Sequence, residues 1–340
     1  MMKIFVLYFL RQTWHFARIT FISAVILGMV LPSSAQRRGT GKAKPVFSGY
    51  LFTYFTGNDK SKEQICFALS DDGYHFKALN GNQPVINSAD ISETGGVRDP
   101  HILRGADGKT FYMVATDMVS AKGWNSNRGL VLMKSDDLVH WTSTAINLQT
   151  QYAGQDSLLR VWAPQTIYDE QAKKYMIYFS TKYGSQPDKI VYVYANKDFT
   201  GLEGAPGQLF FNPEQAACID GDIQQKDGKF YLFFKTEDRR PGIKVAVSDR
   251  LTGGYKMQSN DYVQQTDKPV EGAGTFRLND GSGYILMYDM YTSGRYQFTK
   301  TTDFKNFVAI DENISLDFHP RHGTVMPVTA EEMKRLSSAW

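Results

Sequence analysis

The sequence predicts an all-β chain folded as a five-bladed β-propeller whose last blade is closed by strands from both chain ends. Three observations predict it. Tight turns followed by aromatic strands recur along the chain, a second unit of strand, polar turn and aromatic strand follows each of them, and a strand missing at the front is found spare at the back.

The first unit is clearest at Ala106-Asp107-Gly108-Lys109-Thr110, which leads into Phe111–Val114. It recurs at Lys173-Lys174 before Tyr175–Phe179, at Lys226-Asp227-Gly228-Lys229 before Phe230–Phe234, and at Asn279-Asp280-Gly281 before Tyr284–Tyr288; a weaker copy is Tyr50–Phe55. Asp-Gly between two apolar runs is a hairpin signal, because its residues accept the positive φ that a two-residue turn needs. The second unit places Ser70-Asp71-Asp72-Gly73 before Phe76, Ser135-Asp136-Asp137-Leu138 before Trp141, Ser248-Asp249-Arg250-Leu251 before Tyr255, and Thr302-Asp303-Phe304 before Phe307; Asn196-Lys197-Asp198-Phe199 is its fifth form. The repeat of roughly 50–65 residues is the range of propeller blades. No inner strand precedes Tyr50, and His322–Val328 supplies one, so the two ends are expected to share a blade and protect its edges.

Residues 1–35 read as a signal peptide. Lys3, Arg11 and Arg18 precede an apolar run, Ile19 to Leu31, and Pro32-Ser33-Ser34-Ala35 suits cleavage before Gln36. The run is shorter than the roughly 20 residues of a membrane span, so a secreted or periplasmic protein with no membrane association after cleavage is expected. Residues 36–45 read as a linker, and residues 46–340 as the propeller. Without residues 1–35 the chain holds 35 basic and 35 acidic residues, with no block of one sign, which excludes a nucleic-acid partner. The 19 Tyr and 22 Phe favour strands and sugar-binding surfaces. Cys66 and Cys218 fall in different blades and are expected to be free, buried thiols.

The segments before the hairpins are the inner strands that line the channel. They read Val97-Arg98-Asp99-Pro100-His101, Val161-Trp162-Ala163-Pro164-Gln165, Ile219-Asp220-Gly221-Asp222-Ile223, Val270-Glu271-Gly272-Ala273-Gly274 and Pro320-Arg321-His322-Gly323. Ionisable residues recur at equivalent places on them, which makes Asp99, Asp220 or Asp222, and Glu271 candidates for chemistry at the channel mouth. Asp222 lies two residues beyond Asp220 and so is expected on the same strand face. Trp162 and Trp124 are candidates for stacking on a sugar ring, and Arg98, Gln165 and Arg321 for contacts with it.

Asp-Pro in the first inner strand, Trp-Ala-Pro in the second, Asp in the third, Glu-Gly in the fourth and the late Arg-His-Gly together resemble glycoside hydrolase family 43, over nearly all of residues 46–340. The resemblance implies that Asp99 is the general base, Asp220 the modulator that tunes and orients, and Glu271 the general acid. It favours Asp220 over Asp222. It also implies that His322 sits beside a central calcium or water, so a structural calcium in the channel is the one metal considered and no cofactor is required. Two positions depart from the pattern: Ala273 where Pro is usual, and Gln165 where many members carry an acid.

These residue types suit hydrolysis with inversion, in which a carboxylate activates water on one face of the sugar while a carboxylic acid protonates the leaving oxygen on the other. On that reading Glu271 should have a raised pKa, helped by a neighbouring Asp220, and Asp99 should stay ionised, helped by Arg98. The expected activity is that of an inverting exo-glycosidase on plant-type polysaccharides, first an α-L-arabinofuranosidase, then a β-xylosidase or galactose-directed enzyme. A retaining fructan-type propeller would need Glu-Cys, whereas Glu271 is followed by Gly272. The non-enzymatic alternative is a carbohydrate-binding propeller without catalysis.

Overall fold

The structure, a computed structural model, describes residues 45–340, so the expected signal peptide and linker residues 36–44 lie outside the described residues. Three strands come first, β1 (Gly49–Phe55), β2 (Cys66–Ser70) and β3 (His75–Ala78). A first complete blade follows: β4 (Val97–Arg104), β5 (Phe111–Asp117), β6 (Gly129–Ser135) and β7 (Thr142–Asn147). The second holds β8 (Leu158–Asp169), β9 (Lys174–Tyr183), β10 (Lys189–Ala195) and β11 (Leu202–Phe210), and the third β12 (Cys218–Lys226), β13 (Lys229–Thr236), β14 (Gly242–Ser248) and β15 (Lys256–Met257). The fourth holds β16 (Glu271–Arg277), β17 (Tyr284–Met290), β18 (Arg295–Thr301) and β19 (Val308–Ala309). β20 (Ser315–Leu316) and β21 (Arg321–Val328) then join β1–β3 in the order β20-β3-β2-β1-β21. The five-bladed propeller and its closure by both chain ends are thus as expected, with β20 added in parallel to the outer edge of the closing blade.

The polar turns explain why the repeat is visible. Ser70 Oγ accepts from the Gly73 amide while Asp72 Oδ1 accepts from the amides of Tyr74 and His75. The same two acceptors recur as Ser135 with Asp137 and as Thr301 with Asp303. Each turn satisfies its backbone donors with its own side chains, so it forms locally wherever the motif is written.

Strand alternation then divides the apolar residues between neighbouring blades. In β1, Tyr50, Phe52 and Tyr54 pack with Phe276 and Met287 of the fourth blade, while Leu51 packs with Met113 and Val131 of the first. Further cores lie between the first and second, second and third, and third and fourth blades. Cys66 and Cys218 are free and buried in separate cores, and burial pushes each thiol up to about 12.

Closure rests on tight contacts at β21. It pairs with β1 from Gly49↔Val328 to Phe55↔Arg321. A Cβ at Gly323 would lie 2.2 Å from the Thr53 carbonyl oxygen, so only glycine allows this approach. The C-terminal helix, Ala330–Ala339, is held by Glu332, which accepts two hydrogen bonds of 2.7 Å from Arg104 of β4. Gly323→Ala is expected to lower the free energy of unfolding by about 1–3 kcal/mol through overpacking, read as a lower urea midpoint at unchanged slope.

The inner strands depart from regular pairing at one level. Pairing with the next strand skips Asp99-Pro100, Ala163-Pro164, Asp220-Gly221 and Gly272-Ala273, and in the closing blade His322 alone. Asp99, Ala163, Asp220 and Gly272 have φ of +51°, +46°, +54° and +62°. These β-bulges break the alternation of side chains and re-aim the residues at the channel.

Candidate active site

The bulges bring the predicted residues together around His322. Its Nδ1 lies 3.1 Å from Asp99 Oδ1, and its Nε2 lies 3.3 Å from Glu271 Oε1 and 3.9 Å from Asp220 Oδ2. Gly272 is required here, because at its left-handed φ a Cβ would come within 2.3 Å of the His322 ring. Hydrogen bonds between blades fix the acids. Thr116 Oγ1 donates to Asp99 Oδ2 at 2.8 Å and itself accepts from the Ala163 amide at 2.9 Å. The Asp220 amide donates to Ser180 Oγ, and Asp220 Oδ2 accepts from the Gly272 amide at 2.9 Å.

This group forms the floor of a pocket of about 530 Å³, a volume usual for small-ligand sites. Trp162, Arg98 and Arg321 line it, as does Trp124, the one large aromatic side chain strongly exposed among the described residues. The Trp124 ring is 50% exposed, meets Trp162 edge to face at 6.1 Å, and shelters the Arg98 guanidinium. Arg160 lies 3.8 Å over Trp162 and is held by two 2.7 Å hydrogen bonds to the buried Asp188.

Three expectations are corrected. Asp222 does not share a face with Asp220, because the bulge lies between them. Its carboxylate accepts from the amide and hydroxyl of Thr275, and it lies outside the lining of the pocket. Gln165 falls below the same bulge level; it is buried, accepts from Tyr178 Oη at 2.7 Å, and lines a separate cavity of about 20 Å³ under the acids. Arg98 is also buried, and its direct partners are Glu63 Oε1 at 3.0 Å and Asn58 Oδ1 at 2.9 Å, so it reaches Asp99 only through its field.

The protonation pattern brings a fourth correction. Burial raises the Asp99 carboxyl, but the hydrogen bond and charge of His322, with Arg98 and Thr116, outweigh it and hold it at about 2, as expected for a base. Burial also raises Glu271, yet His322, Lys235 and Arg321 reverse this and hold it near 2, below rather than above the ordinary carboxylate range. The raised group is its neighbour: burial and the Glu271 charge push Asp220 up to about 6. Burial lowers the His322 pKa, but the three acids more than reverse that, leaving it well above the ordinary value. The acid that takes up a proton first as pH falls toward about 6 is therefore Asp220, beside a charged His322, where sequence placed the proton on Glu271.

Sequence reasoning missed Lys235 and Asn58. Lys235, on β13, lies 3.5 Å from Glu271 Oε2 and 2.9 Å from Glu237 Oε1. No motif marks it; the signal is a lysine directly after the aromatic and apolar run Phe230–Phe234.

The residues do not fit the calcium that the family resemblance implied. Asp220, Glu271 and His322 place ligand atoms within 4.8 Å of one another. Calcium takes roughly six to eight oxygen ligands, whereas here an imidazolium stands between the carboxylates and supplies the positive charge itself.

The family model described as a probable glycosyl hydrolase domain, of the family 43-related type, matches residues 45–334. The chain belongs to this glycoside hydrolase family. An α-L-arabinofuranosidase of Bifidobacterium longum is 26% identical over 296 residues, 72% of this chain, which spans only 27% of that relative's length. A solved α-L-arabinofuranosidase of Clostridium thermocellum is similar in fold at TM-score 0.55 and 14% identity, over 73% of this chain and 83% of that one. A xylan β-1,4-xylosidase of Bacillus halodurans is similar at TM-score 0.56 and 14% identity, over 82% of this chain and 56% of that one. The described residues thus form a five-bladed propeller of this family.

Three outcomes are expected for the free protein. kcat/KM is expected to fall as pH rises through about 6, where the proton held beside Glu271 is lost. Lys235→Met removes a cation that favours the ionised acids, so that limb should move upward by roughly one pH unit or more in a pH–rate profile. Dialysis against EDTA should leave turnover unchanged, and a loss restored by added calcium would contradict the account of His322.

Proposed function

We propose that the chain is an inverting, exo-acting glycosidase that removes terminal L-arabinofuranosyl groups from plant-type polysaccharides. The observation that carries this reading is the placement of Asp99 and Glu271 on opposite nitrogens of one imidazole, with Asp220 beside Glu271, at the floor of a bounded pocket. A ring between the two carboxyls supports a separation of the order of 6.5–9.5 Å, which leaves room for the attacking water.

In this mechanism Asp99, ionised and held by Thr116, takes a proton from water as the water oxygen bonds to the anomeric carbon. The glycosidic C–O bond breaks on the other face, and its oxygen takes a proton from Glu271. Below about pH 6 the empty site holds that proton on Asp220, within 4.8 Å of Glu271. A bound sugar excludes water from the pair and favours the neutral form of Glu271, which draws the proton across when the leaving oxygen is in place. Trp124 and Trp162 offer apolar ring surface to the sugar.

The arabinofuranosyl preference is supported by the name of the 26% identical relative. The pocket volume supports recognition of a chain end. The leader-like pattern of residues 1–35 supports action outside the cytoplasm. Turnover of chromogenic arabinofuranoside, xyloside and galactoside tests the glycone, with arabinofuranoside expected to lead. NMR of the first product is expected to show the inverted anomer. Asp99→Asn and Glu271→Gln should each lower kcat by roughly 10²–10⁴-fold while binding persists. Full activity in either variant would remove that residue from its role, and absence of turnover by folded wild-type protein would favour a binding propeller.

A further inference from the structure

The loop between β1 and β2 carries a residue that the mechanism above does not use. Asn58 Oδ1 accepts from two guanidiniums at once, Arg98 Nη1 at 2.9 Å and Arg321 Nη1 at 3.2 Å. Arg98 comes from β4 in the first blade and Arg321 from the closing strand β21. Two like charges converge there because one neutral carbonyl bridges them and an acid backs each. Glu63, fully buried, holds Arg98 and also accepts from the Ser120 amide at 2.8 Å; Asp289, fully buried, holds Arg321. The loop is tied down on the same side, since Ser120 Oγ donates to the Asn58 carbonyl oxygen at 2.9 Å. Beyond the bridge, Arg321 Nη2 donates to Glu271 Oε1 at 3.2 Å.

We propose that Asn58 is a positioning residue of the reaction: it clamps Arg98 and Arg321 together and, through Arg321, fixes the carboxyl of Glu271 against the leaving-group oxygen. The inference rests on Glu271 as the general acid. Arg321 has one other nitrogen on Asp289, so without the Asn58 bridge its guanidinium can pivot on that contact and carry Glu271 with it. A small misplacement of a reacting group is costly in rate. The clamp belongs to the pocket wall rather than the core, because Asn58 is exposed and lines the pocket beside Arg98 and Arg321.

The other groups facing Glu271 set what a charge change at Asn58 does. They are His322 and Arg321 on β21, Lys235 on β13, Asp220 on β12, Asp289 on β17, and Tyr291 and Tyr296. A carboxylate in place of the Asn58 amide keeps the acceptor of the bridge and opposes the field of its two arginines at Glu271.

Steady-state kinetics on a chromogenic arabinofuranoside, with thermal midpoints, test this on wild type, Asn58→Ala, Asn58→Asp and Glu271→Gln. Asn58→Ala should lose roughly 10- to 100-fold in kcat with KM nearly unchanged and the thermal midpoint preserved. Asn58→Asp should recover most of kcat, with the basic limb of the pH profile moved to higher pH. Wild-type kcat in Asn58→Ala would overturn the clamp, as would a loss that tracks the thermal midpoint and is not rescued by Asn58→Asp. A rise confined to KM in both variants would overturn it in favour of direct contact with the sugar. Wild-type turnover by Glu271→Gln would instead overturn the acid assignment on which the clamp rests.

Discussion

Every inner strand bulges at the same level, and the site depends on that irregularity more than on any single contact. In an unbroken strand, residues two apart share a face, and the channel would receive one residue in two from each blade. The bulge adds a residue in the left-handed region at Asp99, Ala163, Asp220 and Gly272 and swings these positions toward the axis. For three of them, which carry a Cβ, that conformation costs on the order of 1–3 kcal/mol each, and it persists because bonds between blades hold it. The Ala163, Asp220 and Gly272 amides each donate to the preceding blade, to Thr116, Ser180 and Asp220 in turn. The strain is therefore shared around the ring, and removing one blade's anchor loosens the acid of its neighbour.

Once the bulges gather three carboxylates at one point, electrostatics demands compensation. Unpaired buried carboxylates would take up protons rather than remain charged. The protein answers with His322 in the centre and Lys235 and Arg321 at Glu271. The compensation is uneven: Asp99 receives a direct hydrogen bond from one side of the ring, whereas Asp220 stands 3.9 Å from the other and is the acid left short of charge. The uneven distances split the acids into a ready base and a carboxyl with a raised pKa within one polar group.

The same bulges mark how far the sequence could be read. Turns such as Ser70-Asp71-Asp72-Gly73 satisfy their own backbone, so they are local and legible, and five of them with their hairpins reveal the blades. Asp99, Asp220, Glu271 and His322 were legible as a recurrent charged level on the inner strands. What failed was inference by strand alternation at Asp222, placed by a period of two that the bulge interrupts, and inference by resemblance at Gln165, which falls below the bulge. The Glu271 pKa was misjudged for a different reason. Its controlling cations come from β13 and β21, and Lys235 follows Phe233-Phe234 with nothing in the local pattern to mark it. Asn58 and Glu63 sit in an irregular loop, where no periodicity constrains the position of a side chain.

Closure of the ring completes the site. His322 and Arg321 lie on the last strand, Asn58 follows the first, and the acids they serve come from the first, third and fourth blades. Before β21 docks on β1, Asp99 lacks its imidazole and Glu271 its guanidinium, and Lys235 is the cation left beside Glu271. The apolar contacts that drive docking, with Phe52 against the fourth blade and Leu51 against the first, lie on the same strand that β21 must pair. Hydrophobic closure thus supplies the free energy to bring the charged hub to the axis, and the hub in turn relieves the repulsion that an open ring would carry. The Arg104–Glu332 pair then ties the terminal helix to the first blade on the far side of that seam. A propeller closed by its own ends in this way completes its site only on closure, since the third and fourth blades bring Asp220, Glu271 and Lys235 together but β21 supplies the imidazole that joins them to Asp99.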